Sequence, residues 1–374
     1  MYLARLTTTV SILIVGSRNA GKTSFLEFLK TALALPPKRR TKAQHHEDDL
    51  APAAPPSGNF IPHYLETEID GERIGLTLWD SEGLEKNMVD LQLREMSTFL
   101  ESKFEETFNE EMKVVRSPGV QDTHIHAVFL VLDPARLDRN LAAAKALSAN
   151  GHSGKYQAPS RVFGVLDEDL DLQVMRILKG KTTVIPVIAK ADTITTKHMS
   201  VLKKTVWESL KKANLDPLEA LGLDDDEPTP DSSRIEEEDE DDDEDGPDYS
   251  DRTPEEQDLP IQGQDDINTS PNSKRLSSQS IRRHKEKEEA KEDESPFLPL
   301  SIISPDLYEP SVVGRQFPWG FADPYNDQHC DFIRLKDAVF SEWRSELREA
   351  SREQWYEGWR TSRLKQRDPV SRRR

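Results

Sequence analysis

The sequence predicts an α/β protein with a mainly parallel sheet and helices on both faces. Short apolar, β-branched runs at residues 10–15, 128–132 and 182–188 alternate with segments of helical periodicity, as strand–helix–strand units do. Polar, motif-like turns follow these runs, at the strand ends where α/β sheets bind ligands. A single acidic insertion at residues 224–295 breaks the pattern, and we predict that it is disordered.

The first half of the chain divides into clear elements. Residues 10–15 form a buried strand that stops at Gly16, and residues 20–35 have the apolar spacing of a helix. Residues 36–62 contain six prolines and read as a long loop. Two strand arms follow in residues 65–78, joined by the hairpin turn Asp70-Gly71.

The remaining elements complete the alternation. We predict a helix over residues 90–115 from the apolar positions Leu100, Phe104, Phe108 and Met112. Residues 136–163 form an elaborated connection that starts as helix. Further helices are predicted at residues 170–178, at 198–213 with Val201, Val206 and Leu210 turned inward, and at 331–364. A last strand is predicted at residues 300–303.

Charge and composition exclude several function classes. The net charge of the 374 residues is −19, and residues 224–295 hold 28 acidic and 9 basic residues, so the rest is neutral. A body without a basic field is not expected to bind nucleic acid. One cysteine excludes a disulfide framework, and no apolar run approaches the ~18 residues of a membrane span. We expect a cytoplasmic protein in which residues 1–223 and 296–364 make one domain, followed by a basic tail at 365–374.

A phosphate-binding loop follows the first strand. The pattern G-x-x-x-x-G-K-[ST] lies between a strand and a helix, the context in which backbone N–H groups cradle phosphates. Lys22 would reach the β- and γ-phosphates, and the Thr23 hydroxyl would bind Mg²⁺. The candidate nucleotide-binding residues are Gly16, Ser17, Arg18, Asn19, Ala20, Gly21, Lys22, Thr23 and Ser24.

Two more motifs specify a guanine nucleotide. Asp80-Ser81-Glu82-Gly83 supplies an aspartate for Mg²⁺ and a glycine N–H for the γ-phosphate. Ala189-Lys190-Ala191-Asp192 closes another strand, and the Asp192 carboxylate can accept hydrogen bonds from guanine N1–H and its amino group, which adenine does not offer. The Lys190 stem would pack along the ring. The motifs together predict a three-layer P-loop GTPase fold that binds GTP or GDP with Mg²⁺.

Beyond these motifs, the chain resembles the septins. Septins carry A-K-A-D after a V-I-P-V-I-like strand, as at residues 184–192. The chain is also similar to septins at residues 317–320 (FPWG), at 329–332 (HCDF), in the helix around residues 103–111, at Asp122 and His126, and in the terminal helix at 356–364.

The resemblance implies a GTP-binding subunit of cytoskeletal filaments, in which neighbouring G domains meet across the nucleotide pocket. It places Arg315 on the guanine, Ser304 where a base-contacting glycine stands in septins, and Trp319 in the interface with other septin-like subunits. An ordinary buried anchor is the alternative for Trp319. Septins act at division or cortical sites, and they present a histidine to the neighbour's nucleotide; His152 is the candidate here.

Hydrolysis is expected to be slow or absent, so whether the protein acts as an enzyme stays open. Leu84 occupies the position where fast GTPases place a water-orienting Gln. Septins use a switch-region threonine instead, and Thr41 is the one threonine in residues 36–62. Thr41 is therefore the candidate catalytic residue.

Two function classes remain open. Arg5 alone is basic before the first strand, and the ten residues after Leu364 lack heptads, so membrane contact is expected to be weak or absent and no coiled coil is expected. A filament-forming septin-like subunit is the first interpretation. A divergent regulatory GTPase that does not polymerise is the alternative.

Overall fold

The computed structural model describes residues 8–35, 59–113, 122–149, 162–218, 221, 296–306, 308–309 and 312–367. The predictions for Arg5, Thr41, His152, the acidic insertion and the last seven residues lie outside these ranges. The central strands are β1 (Thr8–Gly16), β2 (Phe60–Ile69), β3 (Glu72–Ser81), β4 (Ala127–Leu132), β7 (Thr183–Ile188) and β8 (Leu300–Ser301). Short hairpins are formed by β5 (Val162–Phe163) with β6 (Leu166–Asp167), and by β9 (Arg315–Phe317) with β10 (Gly320–Ala322).

Five helices lie between strands along the described chain, and three more follow the last strand. They are α1 (Lys22–Leu33), α2 (Val89–Glu111), α3 (Pro134–Ala149), α4 (Gln173–Leu178), α5 (Thr196–Lys212), α6 (Phe332–Leu335), α7 (Arg344–Glu349) and α8 (Glu357–Arg367). A π-helical turn, Glu168–Leu172, leads into α4, and two more, Lys336–Glu342 and Ala350–Tyr356, connect α6, α7 and α8. The last three helices thus form one winding C-terminal helical segment at residues 332–367.

The strand order β2-β3-β1-β4-β7-β8 confirms the predicted sheet. All neighbouring pairs are parallel except β2 with β3. The chain moves one way from β1 to β3 and the other way from β3 to β4, so right-handed crossovers place α1 and α2 on opposite faces. The result is three layers, with the carboxyl ends of β1, β3, β4 and β7 at one edge.

The core explains why the apolar runs are strands. Every residue of β4 and β7 is buried, as expected for a central parallel strand covered on both sides. The α1 face packs Phe25 edge-on against Phe129 of β4, at 5.5 Å between ring centroids. On the same helix, Phe28 lies 4.4 Å from the ring of Phe332 in the C-terminal helical segment. These contacts fix the phosphate-loop helix against the sheet.

The β2–β3 hairpin forms where it was predicted. Asp70 and Gly71 have φ of 52° and 77°, the two positive values that a type I′ turn requires. The ladder pairs Ile69 with Glu72 and continues to Phe60 with Ser81. The local Asp-Gly signal therefore sets the register that delivers Asp80 to the carboxyl edge.

Two inward-facing positions were predicted wrongly. Val201 is 55% exposed, whereas Leu202, Val206 and Leu210 are buried, because Val201 lies five positions before Val206 and so falls off the buried stripe of α5. Met112 is 62% exposed, since α2 ends at Glu111. The last strand is also shorter than predicted, since β8 covers two residues.

A buried histidine joins α2 to the C-terminal helical segment. His124 is 1% exposed; its ring centroid lies 4.9 Å from those of Phe104 and Tyr356, and its Nδ1 lies 3.2 Å from the Ser351 hydroxyl. Burial lowers the pKa of His124 to about 4, against an opposing effect of Asp122. The folded protein therefore holds a neutral imidazole here.

We expect this histidine to make stability depend on pH. The unfolded chain binds a proton near pH 6.5 and the folded one near 4, so stability is full above 6.5 and falls as pH decreases towards 4, by about 3 kcal/mol at most. Urea unfolding at pH 7, 6, 5 and 4 measures this slope. His124→Phe should flatten it; an equal slope in His124→Phe would contradict the assignment.

Candidate functional site: a guanine-nucleotide pocket

The phosphate loop curls tightly between β1 and α1. Gly16 lies against β4 so closely that an added Cβ would be 2.4 Å from the Val131 carbonyl oxygen. Asn19 and Gly21 adopt left-handed conformations, with φ of 63° and 106°. Lys22 is buried, and its Nζ donates to the carbonyl oxygens of Gly16 at 3.2 Å and Ser17 at 3.1 Å. The loop is therefore wrapped around the lysine, with the N-terminus of α1 beneath it.

The D-x-x-G segment lies directly on this loop. A Cβ on Gly83 would be 2.7 Å from the Arg18 Cα. The buried Leu84 is bound on both sides of its backbone, because its N–H donates to the Gly16 oxygen at 3.0 Å and its oxygen accepts from the Arg18 N–H at 3.2 Å. Asp80 lies one strand away from the loop, paired in register with Ile14 of β1.

Lys22 and Asp80 shift each other's pKa values at the phosphate end of the pocket. Burial lowers the pKa of Lys22, while Asp80 and Glu82 raise it. Burial raises the pKa of Asp80, while Lys22 and His63 lower it. The Asp80 Oδ1 atom is buried and has no hydrogen-bond partner within the described ranges, so it can accept a hydrogen bond or bind a cation. The Asp80 carboxylate and the hydroxyl group of Thr23, an exposed residue at the start of α1, are oxygen ligands of the kind that bind Mg²⁺.

The guanine motif closes the other end of the pocket. Lys190 has a left-handed conformation, with φ 56° and ψ 39°, which turns the chain so that Asp192 follows on a short 3₁₀ helix. The Ala191 N–H donates to the Ile302 oxygen at 3.1 Å, beyond β8. The guanine motif is thereby tied to the segment that continues to Ser304.

Three predicted base-contacting residues meet here. The Asp192 side chain is 1% exposed, and its Oδ2 accepts from Arg315 Nη1 at 3.2 Å. Arg315 Nε donates to the Ser304 oxygen at 3.1 Å. Asp192 Oδ1 and Ser304 Oγ are buried and have no hydrogen-bond partner in the described part of the chain. A buried carboxylate oxygen with no donor is costly, and the N1–H and amino group of guanine are the donors that would satisfy it.

Some residues of the site escaped the sequence analysis. The Gln92 side chain of α2 donates to the Gly83 oxygen at 3.1 Å and accepts from the Glu85 N–H at 3.0 Å, and Arg18 forms an ion pair with Glu85 at 2.7 Å. Gln92 and Lys103 are the two polar residues on the otherwise apolar buried face of α2, and a polar residue at an apolar position is the signal that could have identified Gln92. Asp133, between β4 and Pro134, contacts Lys190; an aspartate before a proline is a helix-start signal.

The comparison with known families decides the assignment. The family model described as Septin matches residues 7–142, 162–243 and 266–372. The chain belongs to the septin family. Septins are guanine-nucleotide-binding proteins of the cytoskeleton that act in cell division.

Individual septins are distant in sequence. Septin homolog spn3 of Schizosaccharomyces pombe is 23% identical over 368 residues, covering 95% of this chain and 73% of that one. Cell division control protein 3 of Saccharomyces cerevisiae is 24% identical over 308 residues, covering 79% and 42%. The crystal structure of the septin GTPase domain from Chlamydomonas reinhardtii is 16% identical, covers 95% of this chain and 99% of that chain, and has a TM-score of 0.49.

Proposed function

We propose that this septin binds GTP or GDP between the phosphate loop and Asp192, and assembles with other septin subunits through the face that carries the nucleotide. The observation that carries the proposal is the pairing of Asp192 with Arg315, because Arg315 begins the β9–β10 hairpin whose turn holds Trp319. One hairpin thus contributes a residue to the base pocket and a residue to the proposed interface. On this proposal, residues 1–223 and 296–364 form a single G domain, since β8 pairs with β7.

Trp319 has the exposure that an interface residue needs. Trp319 is 83% exposed, and its ring stacks on Phe317 at 5.3 Å between ring centroids; Phe321, in the next strand of the hairpin, is 43% exposed. The alternative of a buried anchor is inconsistent with this exposure. A preordered, exposed aromatic pair is typical of the residues that dominate protein–protein binding energy.

Assembly can be tested through this residue. We expect the wild-type protein in low salt to form oligomers whose fraction rises with concentration, and Trp319→Ala to shift the equilibrium towards monomer by at least about tenfold, the cost of losing one interface hot spot. Mass photometry and sedimentation velocity measure the shift. Val201→Ala, which trims another exposed apolar side chain on α5, is the control. A wild-type monomer at all concentrations would instead favour the regulatory GTPase that does not polymerise.

Slow or absent hydrolysis is the second part of the proposal. The Leu84 side chain cannot orient water, and its backbone is hydrogen-bonded to Gly16 and Arg18. We therefore expect a single-turnover rate of GTP hydrolysis far below one per second. Leu84→Gln should stay slow as well, because the same backbone bonds keep the new side chain in the buried position. Lys22→Ala, which removes phosphate binding, gives the assay background. A rate of one per second or faster in the wild type would overturn this part.

The proposed cellular location of the protein follows from its family. No helix among the described residues is long and apolar enough to cross a membrane. We infer a cytoplasmic subunit at division or cortical sites with weak or no membrane contact of its own. Thr41 stays the proposed catalytic residue for any residual hydrolysis.

A further inference from the structure

Asp133 lies between the phosphate loop and the guanine motif, the two halves of the pocket, and it belongs to none of the nucleotide-binding motifs. It immediately precedes Pro134, the first residue of α3, and its Oδ2 accepts from the Arg136 N–H at 3.2 Å. This is the N-cap arrangement, with proline in the first helical position. The cap fixes the carboxylate, so its second oxygen points in a set direction.

That second oxygen binds the lysine of the guanine motif. Lys190 Nζ lies 2.8 Å from Asp133 Oδ1 and donates to the Asn19 oxygen of the phosphate loop at 2.7 Å. The Lys190 and Asp133 side chains are 36% and 15% exposed, so the pair is partly shielded from water. One ammonium group therefore joins the phosphate loop, the guanine motif and the start of α3.

The sequence of this chain makes that junction important. Ala189 stands before Lys190, and its side chain has no polar group with which to reach the phosphate loop, although its Cβ lies only 3.4 Å from where a Cβ on Gly21 would stand. Asn19 and Lys190 both hold left-handed backbone conformations, which residues other than glycine seldom adopt. The Lys190 ammonium joins these two strained residues.

The start of α3 is itself anchored. Arg136 makes a bidentate pair with Asp171, at 2.7 and 2.6 Å, and both side chains are largely buried. Bidentate arginine–carboxylate pairs are geometrically strict. The start of α3 thus fixes the position of the Asp133 carboxylate, which accepts a hydrogen bond from Lys190.

We propose that Asp133 is a positioning residue for the guanine nucleotide: it holds Lys190 across the phosphate loop so that the lysine stem lies along the base and the two halves of the pocket keep their spacing. This inference rests on the proposed nucleotide site. It assigns to Asp133 a role in ligand affinity beyond its role as a helix cap.

The test is the dissociation rate of a fluorescent N-methylanthraniloyl GDP from the full-length protein, chased with unlabelled GDP. Asp133→Asn keeps an N-cap oxygen, since asparagine and aspartate cap equally well, but removes the charge that binds Lys190. We expect dissociation to accelerate by about tenfold, equivalent to roughly 1.4 kcal/mol. Asp138→Asn, on the same helix and paired with His198 at 2.7 Å, is the matched control and should leave the rate within about twofold.

A double-mutant cycle separates positioning from structure. In a Lys190→Met background, Asp133→Asn should cause no further acceleration, because the pair is already broken. An unchanged rate in Asp133→Asn, or an equal acceleration with and without Lys190, would overturn the proposal. Asp133→Ser, which can cap but is too short to reach Lys190, replaces Asp133→Asn if that variant does not fold. Absence of saturable binding by the wild type, or binding that Asp192→Asn does not weaken, would overturn the proposed site itself.

Discussion

Replacing Asp192 with asparagine should weaken the binding of GDP to this septin by at least about a hundredfold, the scale on which a polar pocket rejects a mismatched partner. The Asp192 side chain is 1% exposed, and its Oδ1 has no hydrogen-bond partner among the residues that the structure describes. The N1–H and the amino group of guanine donate hydrogen bonds to the carboxylate oxygens. In the asparagine variant, the side-chain NH₂ replaces one of these oxygens and points its own N–H groups at one of the guanine donors. Competition against fluorescent GDP measures the loss.

The same substitution should change which base is accepted. Xanthine carries a carbonyl where guanine carries the amino group, so the new amide can donate to it. We expect Asp192→Asn to bind xanthosine diphosphate more tightly than GDP, reversing the wild-type order. Asp138→Asn, a substitution away from the pocket, should keep the wild-type order. Undiminished GDP affinity in Asp192→Asn would show that the base lies elsewhere.

Gly16→Ala should destabilise the fold by about 3 kcal/mol, at the upper end of the range for overpacking. The added methyl group would lie 2.4 Å from the Val131 oxygen and 3.3 Å from its carbonyl carbon. Both atoms belong to the backbone of β4, which is paired in register with β1, so neither can turn aside as a side chain would. Urea unfolding in the absence of added nucleotide measures the change.

The control for this substitution has the opposite expected sign. Gly358 lies in α8, and an added Cβ there meets nothing within 4 Å. Gly358→Ala should therefore stabilise by up to about 1 kcal/mol through helix propensity. If Gly16→Ala proved as stable as the wild type, the close approach of the phosphate loop to β4 would be wrong.

The parts of the fold that were predictable depend on short sequence signals. Buried parallel strands appear as apolar runs because both faces are covered, and the β2–β3 turn requires the positive φ that Asp70-Gly71 provides. The phosphate loop and the A-K-A-D tetrapeptide are compact motifs, and each directly follows a strand, β1 and β7 respectively. Local signals of this kind need no knowledge of the tertiary structure.

The parts that were missed depend on contacts between distant residues or on helix phase. The pairing of Arg315 with Asp192, 123 positions away, was not predicted; the arginine itself was named through the resemblance to septins. Val201 was predicted to face inward because it is apolar, yet the phase of α5 was fixed by Leu202 and Val206. The link from Asp133 to Lys190 depends on where α3 begins, which a helical pattern locates only to within a few residues.

The central claim is that a guanine nucleotide occupies the pocket between Lys22 and Asp192. The most direct test is to denature freshly purified protein and identify the released nucleotide by ion-pair chromatography. We predict close to one equivalent of GDP, GTP or both, and GTP alone if the bound nucleotide is not hydrolysed. Protein that releases no nucleotide, or releases an adenine nucleotide, would contradict the account.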